Sequence, residues 1–548
     1  MKQAEIIWTG GTILTMDAAR PRAEALAAIG GRLVAVGSND DIRALAGPGT
    51  REMKLHGRFV MPGLVESHVH AIWGGLRDLF EVYVGYVADL DTLLEAVRQR
   101  AAELPAGSWI SGGPWRGDMR EGMGSLPVAL LDAVAPHHKV ALRDASQHSM
   151  WCNSAALAAA GIGAGWPDPA GGYAERASDG RPNGLLHESA MGPVVAFLEN
   201  TPEQVASATD YCLKVLNSYG YTAFKEPMAF ETELAAYAAA DRAGKLTLHA
   251  AAHITRYSPL GDGLDPDQMD RLRAAYATEN LRTGYAKLFL DGVGPSRTAS
   301  FLEPYAPMPG YDPSSHEPDA TLLIAPDELA EIVIDLDRRG YVIKTHTVGD
   351  NAARKMLDAI EAARRANGPS HLRHELAHCN YIHPDDRPRF KALGAVAEVS
   401  PKLWGPNAMT PTQRLIMGEE RVSHNHPIRA LLEAGAEMSF GTDWPAAAAD
   451  ANPWTGLAMM LTRTDPTGRF PGSVAPDQAI TLEQALPLFT TGGARTLGME
   501  GETGVLKPGA WADFITLPGD LTTMSPEEIA AIEVRQTVWK GRVVHEAG

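Results

Sequence analysis

"LVESHVH", residues 64–70, decides the fold. It is a short apolar run that ends in two histidines one residue apart. In a buried strand, alternation sends both imidazoles of such a pair to the same side, where they can share one cation. Seven further runs have the same character: "YTAFKEP" (221–227), "KLTLHAAAHI" (245–254), "YAKLFLDG" (285–292), "YVIKTHTVGD" (341–350), "LRHELAHC" (372–379), "AVAEVSP" (395–401) and "EMSFGTDWP" (437–445). Between them lie segments such as "ELAEIVIDLDRRG" (328–340) and "AARKMLDAIEAARRANG" (352–368), apolar at three- and four-residue spacing and closed by glycine, the signature of amphipathic helices. Eight strands alternating with helices predict an α/β fold, a (β/α)₈ TIM barrel, over 61–499.

The chain ends use a different vocabulary. "EIIWTGGTILTMD" (5–17) and "GRFVMPG" (57–63) are short strands with Gly-rich turns, and the pattern returns in "TGVLKPGAWADFITLPG" (503–519) and "VRQTVWKGRVVHEAG" (534–548). Sheets this small are poorly stable alone, so 1–60 and 500–548 are expected to form one composite β-sandwich domain. The stretch 72–205 is too long for a helical crossover and carries strand-like runs of its own; it reads as a long insertion after the first barrel strand, capping the active-site face.

With a formal charge of −18 and no Lys/Arg run, the chain is not expected to bind nucleic acid. Cys152, Cys212 and Cys379 are widely spaced, which gives no support to a disulfide framework or a thiolate zinc finger. The N-terminal stretch lacks the basic and apolar regions of a secretory signal, and no run is apolar enough to span a membrane. A cytoplasmic protein acting on a small-molecule substrate, with no membrane partner, is expected.

In a barrel of this kind the C-terminal ends of the strands converge on one mouth. The first strand supplies His68 and His70, the fifth His346, the sixth His378 and the eighth Asp443. Imidazoles with a carboxylate suit a divalent metal, Zn²⁺ first, with Mn²⁺, Fe²⁺ or Co²⁺ allowed by geometry. Such a centre, with one ion or two, would activate water for hydrolysis. No G-x-S-x-G elbow is present, and Cys379 should point away from His378 across the strand.

The pieces "VMPGLVESHVH", "GYTAFKEP", "KLFLDGVGPSRTA", "THTVGDNA", "HELAHCNYIHPDDRPRF", "FGTDWP" and "TTGGARTLGMEGETGVLKPGAWADFITL" together resemble the amidohydrolase superfamily, and more closely its family-3 branch. The insertion motifs "DASQHSMWCNSAAL" and "DPAGGYAERASDGRPNGLLHESA" resemble that branch's own insertion. The resemblance implies a metal-dependent hydrolase of C–N bonds, with His68, His70, Lys287, His346, His378 and Asp443 as ligands. Lys287 would be carboxylated by CO₂ to bridge the two ions of a binuclear centre; the alternative is an unmodified lysine holding a loop or substrate. Asp443, with His378, would be catalytic, Asp443 moving the proton from water to the leaving nitrogen.

Lys225 and Glu226, on the second strand, are rivals for the bridging role or line the pocket. The branch usually has Glu before the sixth-strand histidine, whereas this chain has Ala377, with Glu375 earlier and His374 read as structural. Candidate substrate contacts are His148, Trp151, Asn153, Trp115, Arg297, Trp73 and Trp444. Metal and fold leave the bond open: esters, lactones and carbamates use the same site, and a lyase, an isomerase or a catalytically silent binding protein is the reading from another class. The superfamily's habit of self-association makes a homo-oligomer the expectation.

Overall fold

A computed structural model of the chain describes residues 3–145, 149–169, 172–258, 263–307, 311–407, 409–446 and 448–548. It falls into two compact units, one of residues 1–71 and 210–548, the other of residues 72–209. No described helix is long and apolar enough to cross a membrane.

At the centre of the first unit is an eight-stranded sheet in sequential order: β1 (Leu64–Glu66), β2 (Tyr221–Ala229), β3 (His249–Thr255), β4 (Leu281–Phe289), β5 (Val342–Thr347), β6 (Glu375–His378), β7 (Val396–Val399) and β8 (Glu437–Phe440). Every neighbouring pair is parallel. These are the eight runs read from the sequence. Most hydrogen-bonded cores are shorter than the quoted runs, because regular pairing stops where the chain turns into the functional rim.

The barrel closes just beyond β1 and β8. The Ser67 amide donates to the Phe440 carbonyl (2.9 Å), the Asp443 amide to the His68 carbonyl (2.8 Å), and the His70 amide to the Trp444 carbonyl (2.9 Å). Gly441 makes this approach possible: a Cβ there would lie 2.4 Å from the His68 Cβ and 2.8 Å from its amide nitrogen, closer than any side chain allows.

Helices Pro326–Arg338 and Asp350–Asn367 fall where the 3.6-residue periodicity placed them. The first buries Leu329, Ile332, Val333 and Leu336, and the second buries Met356, Leu357, Ile360 and Ala363, the apolar stripe expected of a helix packed on a sheet.

Both chain ends share one sheet. Phe514–Leu517 pairs antiparallel with Phe59–Pro62, so that Ile515 faces Met61, and Gln536–Trp539 and Arg542–Glu546 extend it. A second, four-stranded sheet is built from residues 6–54. One core of Ile6, Trp8, Ile13, Leu26, Phe514 and Val538 lies between the two. The second unit has its own six-stranded mixed sheet, which includes Trp109–Trp115 and Lys139–Asp144.

Barrels of this type are commonly filled by branched apolar residues. Here the interior also holds charges. Lys225 on β2 pairs with Glu375 on β6; Lys344 on β5 lies 3.2 Å from Glu375 and 3.2 Å from Glu398 on β7, and it donates to the Ser67 carbonyl. All four side chains are fully buried. Such a network adds little net stability, but removing one member strands its partners without water. Glu375→Gln leaves the buried Lys225 ammonium without its carboxylate and Lys344 with Glu398 alone. It is expected to destabilise the fold by about 3–5 kcal/mol, read as a lowered Tm in calorimetry; an unchanged Tm would show that the charges are dispensable.

Candidate metal centre

The seam that closes the barrel also carries the first ligands. The strand ends at Glu66 and the chain bends at Ser67 and His68, yet His68 and His70 both turn a ring nitrogen toward Asp443. Each imidazole lies between two carboxylates. His68 Nδ1 hydrogen-bonds Glu398, and its Nε2 lies 3.5 Å from Asp443 Oδ1. His70 Nδ1 is 3.4 Å from Glu226 Oε1, and its Nε2 is also 3.5 Å from Asp443 Oδ1. A carboxylate can only accept, so Glu398 takes the Nδ1 hydrogen of His68 and leaves the Nε2 lone pair facing Asp443. Glu226 is itself fixed by the Ala71 amide (3.0 Å) and the Tyr237 hydroxyl (2.9 Å).

His378, at the end of β6, brings its ring centroid to 4.8 Å from that of His68 and 4.8 Å from that of His346. Its Nδ1 is buried and has no hydrogen-bond partner among the described residues. The His346 ring stacks on Phe289 at 5.3 Å, and its Nε2 donates to the Gly292 carbonyl at 3.3 Å, which leaves Nδ1 as the lone-pair atom. The loop behind it is clamped by Asp291, which accepts the amides of Ser300, Val348 and Gly349.

His378 and Asp443 have positive backbone φ, 79° and 57°. For residues other than glycine this costs on the order of 1–3 kcal/mol each and is characteristic of functional sites. The strain sits on two of the ligand candidates.

The electrostatics favour neutral imidazoles, the form that binds metal. Burial, then the charges of Lys344 and Lys287, hold His68 well below the usual histidine range. Burial, then the neighbouring His68 and His346, does the same for His378, and burial with the Lys287 charge pushes His346 down to about 3. His70 differs: burial opposes its charge, but the hydrogen bonds to Asp443 and Glu226 outweigh it and raise His70 to about 9. Lys287, on β4, is buried over the Phe289 ring at 4.6 Å; burial, then the charge of Lys344, brings it down to about 7.

This donor set fits a divalent cation. The ligand atoms of His68, His70 and Asp443 lie within 4.8 Å of one another, as do those of His68, His378 and Glu398, and all are buried.

The other sequence candidates sit as follows. Lys225 is committed to Glu375. His374 bonds Asp337 (3.0 Å) and accepts the Ile343 amide (3.1 Å), a structural role. In the second unit, the Trp115 and Trp151 indoles donate to the carbonyls of Leu142 and Pro127, both at 3.0 Å. Asn153 caps the helix Ser154–Ala159 and bonds His138 and Val140. The polar atoms of all three serve the unit's own scaffold. Trp73, also in that unit, is 37% exposed. Arg297 is exposed with left-handed backbone, and Trp444 is buried. His148 lies outside the described residues. The Cys379 thiol donates to the Leu376 carbonyl (3.2 Å), and burial raises it well above the usual thiol range, which disfavours the thiolate.

Sequence reasoning passed over Glu398, Lys344 and Asp291. The signal was present: Glu398 is the single charge in the buried run VAEV, and Lys344 is a charge within a buried strand, placements that demand a partner.

The amidohydrolase family profile matches residues 51–545. The chain is 30% identical over 530 residues to the protein LONG AFTER FAR-RED 3 of Arabidopsis thaliana, covering 94% of this chain and 87% of that one. It is 26% identical over 560 residues to the N-substituted formamide deformylase of Arthrobacter pascens, covering 99% and 98%. An uncharacterized metal-dependent hydrolase from Pyrococcus horikoshii shares the fold with a TM-score of 0.76 at 22% identity, over 95% of this chain and 99% of that one. With the barrel, the composite terminal sheets and a profile match over most of its length, the chain belongs to the amidohydrolase family.

Proposed function

We propose that the chain is a hydrolase that cleaves a C–N bond of a small molecule, with a divalent cation, Zn²⁺ first among them, held by His68, His70, His346, His378 and Asp443. The observation that carries this reading is the aim of two imidazole Nε2 atoms at one carboxylate oxygen, each 3.5 Å away. A bound divalent cation supplies a Lewis acid that polarises a carbonyl and lowers the pKa of water from about 15.7 to about 7.

The chain's own part is acid–base chemistry and positioning. Asp443 takes a proton from the attacking water and passes it to the leaving nitrogen as the C–N bond breaks, giving an acid and an amine. The buried surroundings of His68 and His378 exclude bulk water from the ligand side. Arg297, exposed at the loop after β4, and Trp444, beside Asp443, are the first candidates to hold substrate. The name of the Arthrobacter relative favours an amide, N-formyl compounds included; esters, lactones and carbamates remain the second reading for the bond.

Lys287 fits the bridging role of a binuclear centre. Burial brings its pKa down to about 7, so a substantial share of the amine is neutral near physiological pH, and the neutral amine can attack the carbon of CO₂, form an N–C bond and lose a proton to give a carbamate. With ¹³C-bicarbonate, a carbamate resonance is expected in the wild type and not in Lys287→Gln; the same resonance in both would remove Lys287 from this role.

Asp443→Asn tests the reaction directly. On the best substrate from a screen of N-acyl, N-formyl, carbamate and lactone compounds, kcat is expected to fall about 10²–10⁴-fold while folding is retained. In ¹⁸O water the wild-type acid product should carry label. Full activity in the variant would dismiss Asp443 as the proton carrier, and an unlabelled product would point to a lyase or isomerase.

A further inference from the structure

We propose that Glu398 is a positioning residue that accepts the Nδ1 hydrogen of His68 and fixes the tautomer whose Nε2 lone pair faces Asp443. The inference rests on the metal reading above and adds to it the device that prepares one ligand.

Glu398 lies in β7, two residues from Val396 and Ser400, and its side chain is fully buried. One oxygen, Oε2, receives both His68 Nδ1 and Lys344 Nζ, the latter at 3.2 Å. The other, Oε1, accepts the Ser400 hydroxyl at 3.2 Å. Both oxygens are therefore occupied by donors. Glu398 does form a compact donor set with His68 and His378, yet to ligate a cation it would have to abandon the buried hydrogens it already accepts, which is costly.

Lys344 completes the device. Its ammonium lies between Glu398 and Glu375 and also donates to the carbonyl of Ser67, the residue preceding His68. Carboxylate, ammonium and strand backbone thus tie one imidazole to the barrel wall from two directions. Without Glu398, either nitrogen of His68 could carry the proton, and the Nε2–H tautomer would present a hydrogen where a lone pair is needed. Partners of this type govern metal affinity as well as ligand geometry.

The test uses the full chain, stripped of metal and then titrated with Zn²⁺ against a chromophoric chelator, and separately loaded with Co²⁺ for its visible spectrum. Glu398→Gln is expected to weaken Zn²⁺ binding about 10–100-fold and to change the Co²⁺ spectrum, while the circular dichroism of the metal-free protein stays that of the wild type. A Zn²⁺ affinity within about twofold of wild type, with an unchanged Co²⁺ spectrum, overturns the proposal. Should Glu398→Gln fail to fold, Glu398→Asp decides by the same criteria: it keeps the charge beside Lys344 but shortens the reach to Nδ1, so affinity is expected to fall at least tenfold. A wild-type chain that takes up neither ion overturns the metal reading and this inference with it, a result distinct from an effect confined to the variants.

Discussion

The structure depends on the seam where the first and last strands of the barrel meet. Three backbone hydrogen bonds close it, from Ser67 to Phe440, Asp443 to His68 and His70 to Trp444. One of them joins two candidate ligands, Asp443 and His68, and another starts from a third, His70. Closure and assembly of the centre are therefore one event: a barrel that failed to close would leave His68 and His70 on one edge of an open sheet and Asp443 on the other. Gly441 is the steric condition for it, since no Cβ fits between the strands there.

Burying charge is the second constraint. Lys225, Lys344, Glu375 and Glu398 could have been replaced by apolar residues without loss of stability, to judge from how such networks behave generally. Their arrangement links β2, β5, β6 and β7 to the ring of His68, and Lys344 is the largest charge acting on Lys287. The network thus bears on the centre through its contact with His68 and its charge beside Lys287. In β6 the position before His378 is Ala377, and the strand's carboxylate stands two residues earlier, at Glu375, where it faces two lysines.

Much of this was legible in the sequence. The eight strands were found because each is a short apolar run with its polar residues at the C-terminal end, and the pairing of the two chain ends followed from sheets too small to stand alone. Strand limits were less legible, since composition does not record where backbone pairing gives way to a rim. Glu398 was overlooked because "AVAEVSP" reads as apolar, although alternation puts a charge at an inward position. In the insertion, Trp151 and Asn153 drew notice within a family motif, and Trp115 as a further aromatic candidate. Asn153 followed by "SAAL" is equally a helix cap, and an indole buried in a sheet needs a carbonyl wherever it lies.

The central claim is that strand ends scattered along the chain meet around a cation through imidazole and carboxylate donors. X-ray absorption at the zinc edge of the purified, zinc-loaded protein tests it most directly. The account requires a nitrogen and oxygen shell at about 2.0–2.1 Å with the outer-shell scattering of several imidazoles. A sulfur shell at about 2.3 Å, or a spectrum without imidazole scattering, would contradict it.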